Sequence, residues 1–133
     1  MTALLDTHVW IWWLTGAPPL PAAEREALGR LAEKTPPCIS AVSLWEAEML
    51  VAKGRIVLTE PFDRWVRRMS ASDVVTVLPL DADVVVAVHG LPATFQGDPA
   101  DRLIVATARA VGLPIATHDR AIRASRLVKL WKP

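Results

Sequence analysis

Short unbroken apolar runs alternate along this chain with stretches in which apolar residues recur every three or four positions. The runs at residues 3–5, 38–41, 74–78 and 114–117 predict strands buried on both faces, because a strand covered on one side alone would alternate apolar with polar. Helical spacing covers residues 22–34, 44–53, 62–69, 82–89 and 99–111. The opening "LLDTHVWIWW" reads as a strand running into a packed helix, with one acid, Asp6, between them. Prolines punctuate the elements, in "GAPPLPAAE", "TPPC", "TEPF", "LPAT" and "GLP". This alternation predicts an α/β domain around a mostly parallel sheet.

Such a sheet binds ligands beyond the carboxyl ends of its strands. Asp6 follows the first predicted strand and Asp119 the last, so the fold would bring both acids to one edge although 113 positions separate their numbers.

Length and composition add limits. A chain of 133 residues buries about two-thirds of its unfolded surface, enough for a real core. With 52% apolar and 22% charged residues it is an ordinary globular chain, neither disordered nor fibrous. A single cysteine, Cys38, excludes an internal disulfide framework and fits a reducing compartment. No basic residue precedes the first apolar run and Asp6 interrupts it, so no secretory signal is expected. No run reaches the roughly 18–20 apolar residues of a membrane helix; a cytoplasmic location without membrane association is the expectation. The net charge of +1 conceals a basic C-terminal quarter, where Arg102, Arg109, Arg120, Arg123, Arg126, Lys129 and Lys132 face one acid, Asp119. That asymmetry suits a phosphate-rich partner, although basic helix faces are commonly only solvated surface.

Each acid also has a plain structural reading. Ser43-x-x-Glu46 has capping-box spacing, and periodicity does not separate Glu46 from Glu48 as the inward acid. Asp98-Pro99 opens a helix that ends at Gly112, with Asp98 as N-cap. Arg102, four residues on, is placed to pair with Asp98. Asp101 is harder to assign to structure alone, because Ile104, Val105 and Ala108 put it on the core-facing stripe. In "ATHDRAI" either Thr117 or Asp119 suits the cap of a short helix. His8, His89 and His118 lack zinc-site spacing, and no phosphate loop or nucleophile elbow is present. The six tryptophans are expected in the core or a subunit interface more than against nucleobases.

Together the pieces fall in a familiar order. "LLDTHVWIWW", "SAVSLWEAEML", "GDPADRLIVATARAVGLPI" and "THDRAI" span nearly the whole chain, and their succession resembles the PIN-domain nucleases, and within them the VapC-type toxins of type II toxin–antitoxin systems. The resemblance implies one PIN-like domain over residues 1–133, a three-layer α/β/α sandwich. It implies Asp6, Glu46, Asp101 and Asp119 as catalytic metal ligands, with Asp98 and Thr117 assisting. It further implies Mg²⁺ or Mn²⁺ as cofactor, an RNA substrate, an antitoxin whose C-terminal segment covers the acids, and a homodimer or toxin–antitoxin hetero-oligomer.

The chemistry is consistent with that set. Carboxylates about 5 Å apart repel by about 3 kcal/mol per pair at an effective dielectric near 20, so four together need a cation or protons. Oxygen-only ligands favour Mg²⁺ or Mn²⁺, which activate water for hydrolysis of a phosphodiester. A receiver or haloacid-dehalogenase-type domain also sets Asp and Mg²⁺ at strand ends, but the latter needs Asp-x-Asp where this chain has Asp6-Thr7-His8. A structure-specific DNA nuclease of related fold and a non-catalytic interaction module are the other readings. Arg102, Arg120 and Arg123 are placed to hold the RNA backbone; binding measured between 50 and 200 mM salt should then weaken steeply, and a flat response would remove that role.

Overall fold

The computed structural model describes residues 2–133. Four parallel strands, β1 (Leu4–Leu5), β2 (Cys38–Ser40), β3 (Thr76–Leu78) and β4 (Ile115–Ala116), form one sheet in the order β3-β2-β1-β4. Leu4 lies opposite Cys38 on one side and Ile115 on the other, and Leu5 opposite Ile39 and Ala116. The chain moves outward from β1 through β2 to β3, then returns to lay β4 against the far side of β1. The direction of winding reverses between β1 and β4, which is where an open parallel sheet forms its crevice.

Among the described residues seven helices cover the sheet: α1 (Thr7–Thr15), α2 (Ala22–Lys34), α3 (Ala41–Ala52), α4 (Phe62–Met69), α5 (Ala82–His89), α6 (Pro99–Val111) and α7 (Arg120–Ser125). Successive strand residues point to opposite faces, and the core divides accordingly. Leu5, Ile39 and Ala116 pack with Val9, Trp10, Leu28, Trp65 and Met69 from α1, α2 and α4. Leu4, Cys38 and Ile115 pack with Val84, Ile104, Val105 and Ile122 from α5, α6 and α7. Helix α3 serves both layers, giving Val42 to one and Ala47 to the other. The expected three-layer α/β/α sandwich is present, with an all-parallel sheet.

The differences from the sequence reading lie at element ends. Helix α3 starts three residues before the expected 44, because Ser40 is its N-cap, its hydroxyl accepting the Val42 N–H at 3.2 Å. The strand that was to include Ala41 ends at Ser40 for the same reason. Strand β3 begins at Thr76, because the N–H groups of Val74 and Val75 turn back to the Ala71 carbonyl. An unforeseen bridge joins Leu130 to Ile115, with the Trp131 N–H donating to the Ile115 carbonyl at 2.8 Å. Among the described residues no helix is long and apolar enough to cross a membrane.

Helix α1 carries the acid-bearing edge and is fixed at three points. Gly16 ends it in the left-handed conformation (φ 74°). The Arg25 guanidinium of α2 donates to the carbonyls of Trp12 and Trp13 at 3.0 Å and of Ala17 at 2.8 Å, satisfying acceptors that a helix end leaves open. Midway, the buried Trp10 indole donates to the Met69 carbonyl at 3.0 Å, tying α1 to the end of α4. Trp10→Phe leaves that carbonyl without its donor and opens a small void; urea denaturation should report a loss of about 1–3 kcal/mol.

Candidate active site

β1 ends one residue before α1 begins, and the residue between is Asp6. It is 6% exposed, a charge that needs partners at this depth. One carboxylate oxygen accepts the Thr7 N–H at 2.8 Å and caps α1; the other accepts the Thr117 hydroxyl at 2.6 Å. The Asp6 N–H donates to the Ala116 carbonyl at 2.9 Å, so β1 and β4 stay paired up to the acid. The Thr117 hydroxyl also accepts the Asp119 N–H at 3.0 Å, linking the two strand-end acids through one oxygen. Of the two candidates, Asp119 caps α7, accepting the Ile122 N–H at 2.9 Å.

Helix α6 opens beside them with the N-cap expected at Asp98. Asp98 accepts the Asp101 N–H at 2.8 Å and Asp101 accepts the Asp98 N–H at 3.4 Å, a capping box the sequence reading had placed elsewhere. Gly97 precedes it in close packing: a Cβ there would meet the Phe95 ring at 2.6 Å and Asp101 Cβ at 2.9 Å. Only glycine lets the loop pass Asp101 at this distance.

The fourth acid comes from α3. Because Ser40 is the cap, Ser43 lies inside the helix, wholly buried, and the Ser43–Glu46 capping box does not form. Glu46 turns to the cleft and accepts a hydrogen bond from the Thr7 hydroxyl. Thr7 gives its one hydroxyl hydrogen to Glu46, so Ser43 donates to Thr7, at 2.7 Å. Glu48 is exposed, which separates the two glutamates that periodicity left equivalent.

Asp6, Glu46, Asp98, Asp101 and Asp119 thus line one cleft of about 310 Å³, together with His8, Trp12 and His118. Burial raises Asp6 above the usual carboxylate range despite the opposing bonds from Thr117 and Thr7, and the Asp119 charge adds to the rise. Glu46 is raised by burial, with Asp6 and Asp98 adding to it against the bond from Thr7. Asp101 is pushed up to about 7, first by burial and then by Asp119, Asp98 and Asp6. Like charges held near one another away from water favour the protonated form.

No three His, Cys, Asp or Glu side chains among the described residues converge closely enough to ligate an ion directly. The donor set nevertheless fits a hard divalent cation. It is all carboxylate, and Asp98, Asp101, Asp119 and Glu46 each use one oxygen in the bonds above, leaving the second for the cleft. Mg²⁺ keeps several of its waters and binds through one or two carboxylates, so a ring of acids suits it without a tight cage.

The arginines stand differently. Arg102 donates to the Phe95 carbonyl at 3.3 Å and lies over the Phe95 ring, so the expected pair with Asp98 is absent. Arg123 donates to the Thr117 carbonyl at 3.0 Å, and Arg120 is exposed next to Asp119. None of the three lines the acidic cleft. Sequence alone gives Ser43 a capping role, sets His8 and His118 aside as zinc ligands, puts Trp12 in the core or an interface and assigns nothing to Thr7. Spacing four apart on α1 was the available signal that His8 and Trp12 share a face; nothing local signalled the others.

A family model, PIN domain, matches residues 3–126. Ribonuclease VapC22 of Mycobacterium tuberculosis is 34% identical over 125 residues, covering 94% of this chain and 92% of that protein. Among solved structures, VapBC2 from Rickettsia felis bound to a DNA fragment from its promoter is similar at a TM-score of 0.73, with 16% identity over 98% of both chains. DNA-bound VapBC from Salmonella typhimurium also scores 0.73, with 20% identity over 98% of this chain and 97% of that one.

The raised acids fix a pH dependence. A carboxyl held at about 7 when folded, against 3.8 as its ordinary value, binds more protons folded than unfolded between those limits. Its contribution to stability is therefore present at low pH and lost as pH rises through the window. Metal-free protein should melt roughly 3–6 °C lower at pH 8 than at pH 5, after allowing for screening of the half-buried Asp101. Asp101→Asn should flatten that slope and raise the melting temperature at pH 8; a lowered one would count against the crowded cluster.

Proposed function

The chain belongs to the PIN-domain family, and on that premise we propose that it is the ribonuclease toxin of a toxin–antitoxin pair, acting in the cytoplasm and hydrolysing RNA phosphodiesters with Mg²⁺ or Mn²⁺. The observation that carries this reading is the meeting of Asp6, Glu46, Asp101 and Asp119 in one cleft at the β1–β4 crevice. RNA is a polyanion, and a cleft of carboxylates repels it. Only a cation between the two makes such a cleft useful for phosphate chemistry, and that argues for metal dependence independently of kinship.

Asp6, Glu46, Asp101 and Asp119 would hold the ion, with Asp98 at the rim. When bound, a divalent cation supplies acidification of water and neutralisation of charge on the phosphate. The chain supplies placement. Thr117 and the Thr7 N–H fix both oxygens of Asp6, while Thr7 and Ser43 fix one oxygen of Glu46. In hydrolysis the water oxygen forms the new bond to phosphorus, the P–O bond to the leaving nucleotide breaks, and the water proton passes to a nearby carboxylate. The leaving oxygen takes a proton from solvent water, and the carboxylate releases its own to solvent.

Arg120, exposed at the start of α7, is the first choice to hold the RNA backbone; Arg102 and Arg123 already serve chain carbonyls but keep further N–H donors. An antitoxin segment covering the cleft has to answer its negative charge, which calls for an arginine or lysine side chain. The relatives fit this partner, since two of the similar structures are named as VapBC assemblies. A second copy of this chain is the remaining proposed partner.

Purified protein incubated with a panel of structured RNAs should cleave with Mg²⁺ or Mn²⁺, stop with EDTA and resume when metal is restored. Asp6→Asn should lower cleavage at least about 100-fold with the circular dichroism spectrum unchanged. Cleavage persisting in EDTA, or of DNA in preference to RNA, would overturn the proposal.

A further inference from the structure

One wall of the cleft has no part in holding a cation. Trp12 stands between His8 and His118, with ring centroids 5.6 Å and 5.8 Å away and planes inclined at 50° and 70°. His118 Nε2 is 2.7 Å from Glu24 Oε2, and the Trp12 carbonyl accepts from Arg25 at 3.0 Å, so both ends of the wall are anchored to α2. Trp10 and Trp65 are buried in the core, whereas Trp12 is half-buried with His8 and His118 exposed beside it. A half-buried indole facing an acidic cleft is a surface for a ligand that has both an apolar face and a phosphate.

We propose that His8, Trp12 and His118 form a nucleobase-stacking subsite for an unpaired nucleotide next to the scissile phosphate, a role that rests on the ribonuclease function above. Three observations support it. The rings and the acids share one cleft, so a phosphate held at the acids puts its own nucleotide against the wall. The neighbouring carboxylates repel every phosphate that lacks a cation, which leaves uncharged stacking as the contact available to the rest of the substrate. His8 and Trp12 also border a second cavity, about 660 Å³, with Ile11, Leu50 and Trp65 on its apolar side and Arg55 and Arg68 among its lining. A strand leaving the acids over Trp12 therefore enters a space that accepts a base and, at Arg55, a phosphate. Bases of any identity stack on aromatic rings, and single-stranded RNA is commonly held this way.

The test first maps the bond that wild-type protein cleaves in a short single-stranded RNA. Binding of that RNA is then measured in the Asp101→Asn background, with Trp12→Leu and Trp12→Phe added separately, and with an abasic nucleotide on either side of the mapped bond. Trp12→Leu should weaken binding of intact RNA about ten-fold or more, and Trp12→Phe by much less. On one abasic RNA the leucine variant and its parent should bind equally, because the base that Trp12 holds is already gone. A Trp12→Leu loss of the same size on intact RNA and on both abasic RNAs, or no loss on any, overturns the subsite. So does a Trp12→Leu effect confined to binding of a protein partner. Failure of the wild type to cleave or bind any RNA overturns the proposed function with it, whereas metal-dependent cleavage with base-independent Trp12 effects overturns the subsite alone. Melting temperatures of the Trp12→Phe and Trp12→Leu proteins separate lost stacking from lost fold.

Discussion

The rest of the structure depends on how several carboxylates are held together at one end of a sheet. Three of the helices that begin at this edge, α1, α6 and α7, begin with an aspartate as N-cap: Asp6, Asp98 and Asp119. A helix N-terminus offers unpaired N–H groups and about half a positive charge. Each cap takes one N–H into a carboxylate oxygen, so the acids sit where the backbone is most able to receive them. The compensation is incomplete. A helix terminus contributes about 0.3–1 kcal/mol, less than the repulsion between two nearby carboxylates; Asp101 is left at about 7, by burial first and by the charges of Asp119, Asp98 and Asp6 second.

Hydroxyl groups supply what the helix ends do not. Thr117 joins Asp6 to Asp119, and the Ser43–Thr7 pair orders Glu46. All three hydroxyl residues are buried, and no buried side-chain polar atom among the described residues lacks a partner. A half-satisfied network at this depth would cost more than an apolar one. The complete satisfaction here explains why Thr and Ser, poor helix formers, occupy the first turns of α1 and α3.

Much of this was legible in the sequence because it is local. The Asp98-Pro99 start, the Gly112 stop and the apolar face beginning at Asp101 are written within one helix. The strand runs were legible because burial on both faces leaves no alternation. Ser40 and Ser43 show where local reading fails: both are sound N-caps three residues apart, and only the pairing of Cys38 to Ser40 in the sheet decides for the first. The Thr7–Ser43 and His118–Glu24 contacts join residues 36 and 94 positions apart. Such pairs depend on how the layers dock, which no window of sequence contains.

The bond from Thr117 to Asp6 spans 111 positions of a 133-residue chain. Strand β4, which seats Thr117, pairs with the first strand of the protein. Domains fold as their chains emerge from the ribosome, N-terminal parts first, yet here Asp6 waits for a partner supplied by the residue after β4. A growing chain that has not reached residue 115 has Asp6, Glu46 and Asp101 without the strand that closes the crevice beside them. The β1–β4 pairing that closes the crevice is thus also the step that assembles the cleft, and its long separation in sequence makes it a slow contact to form.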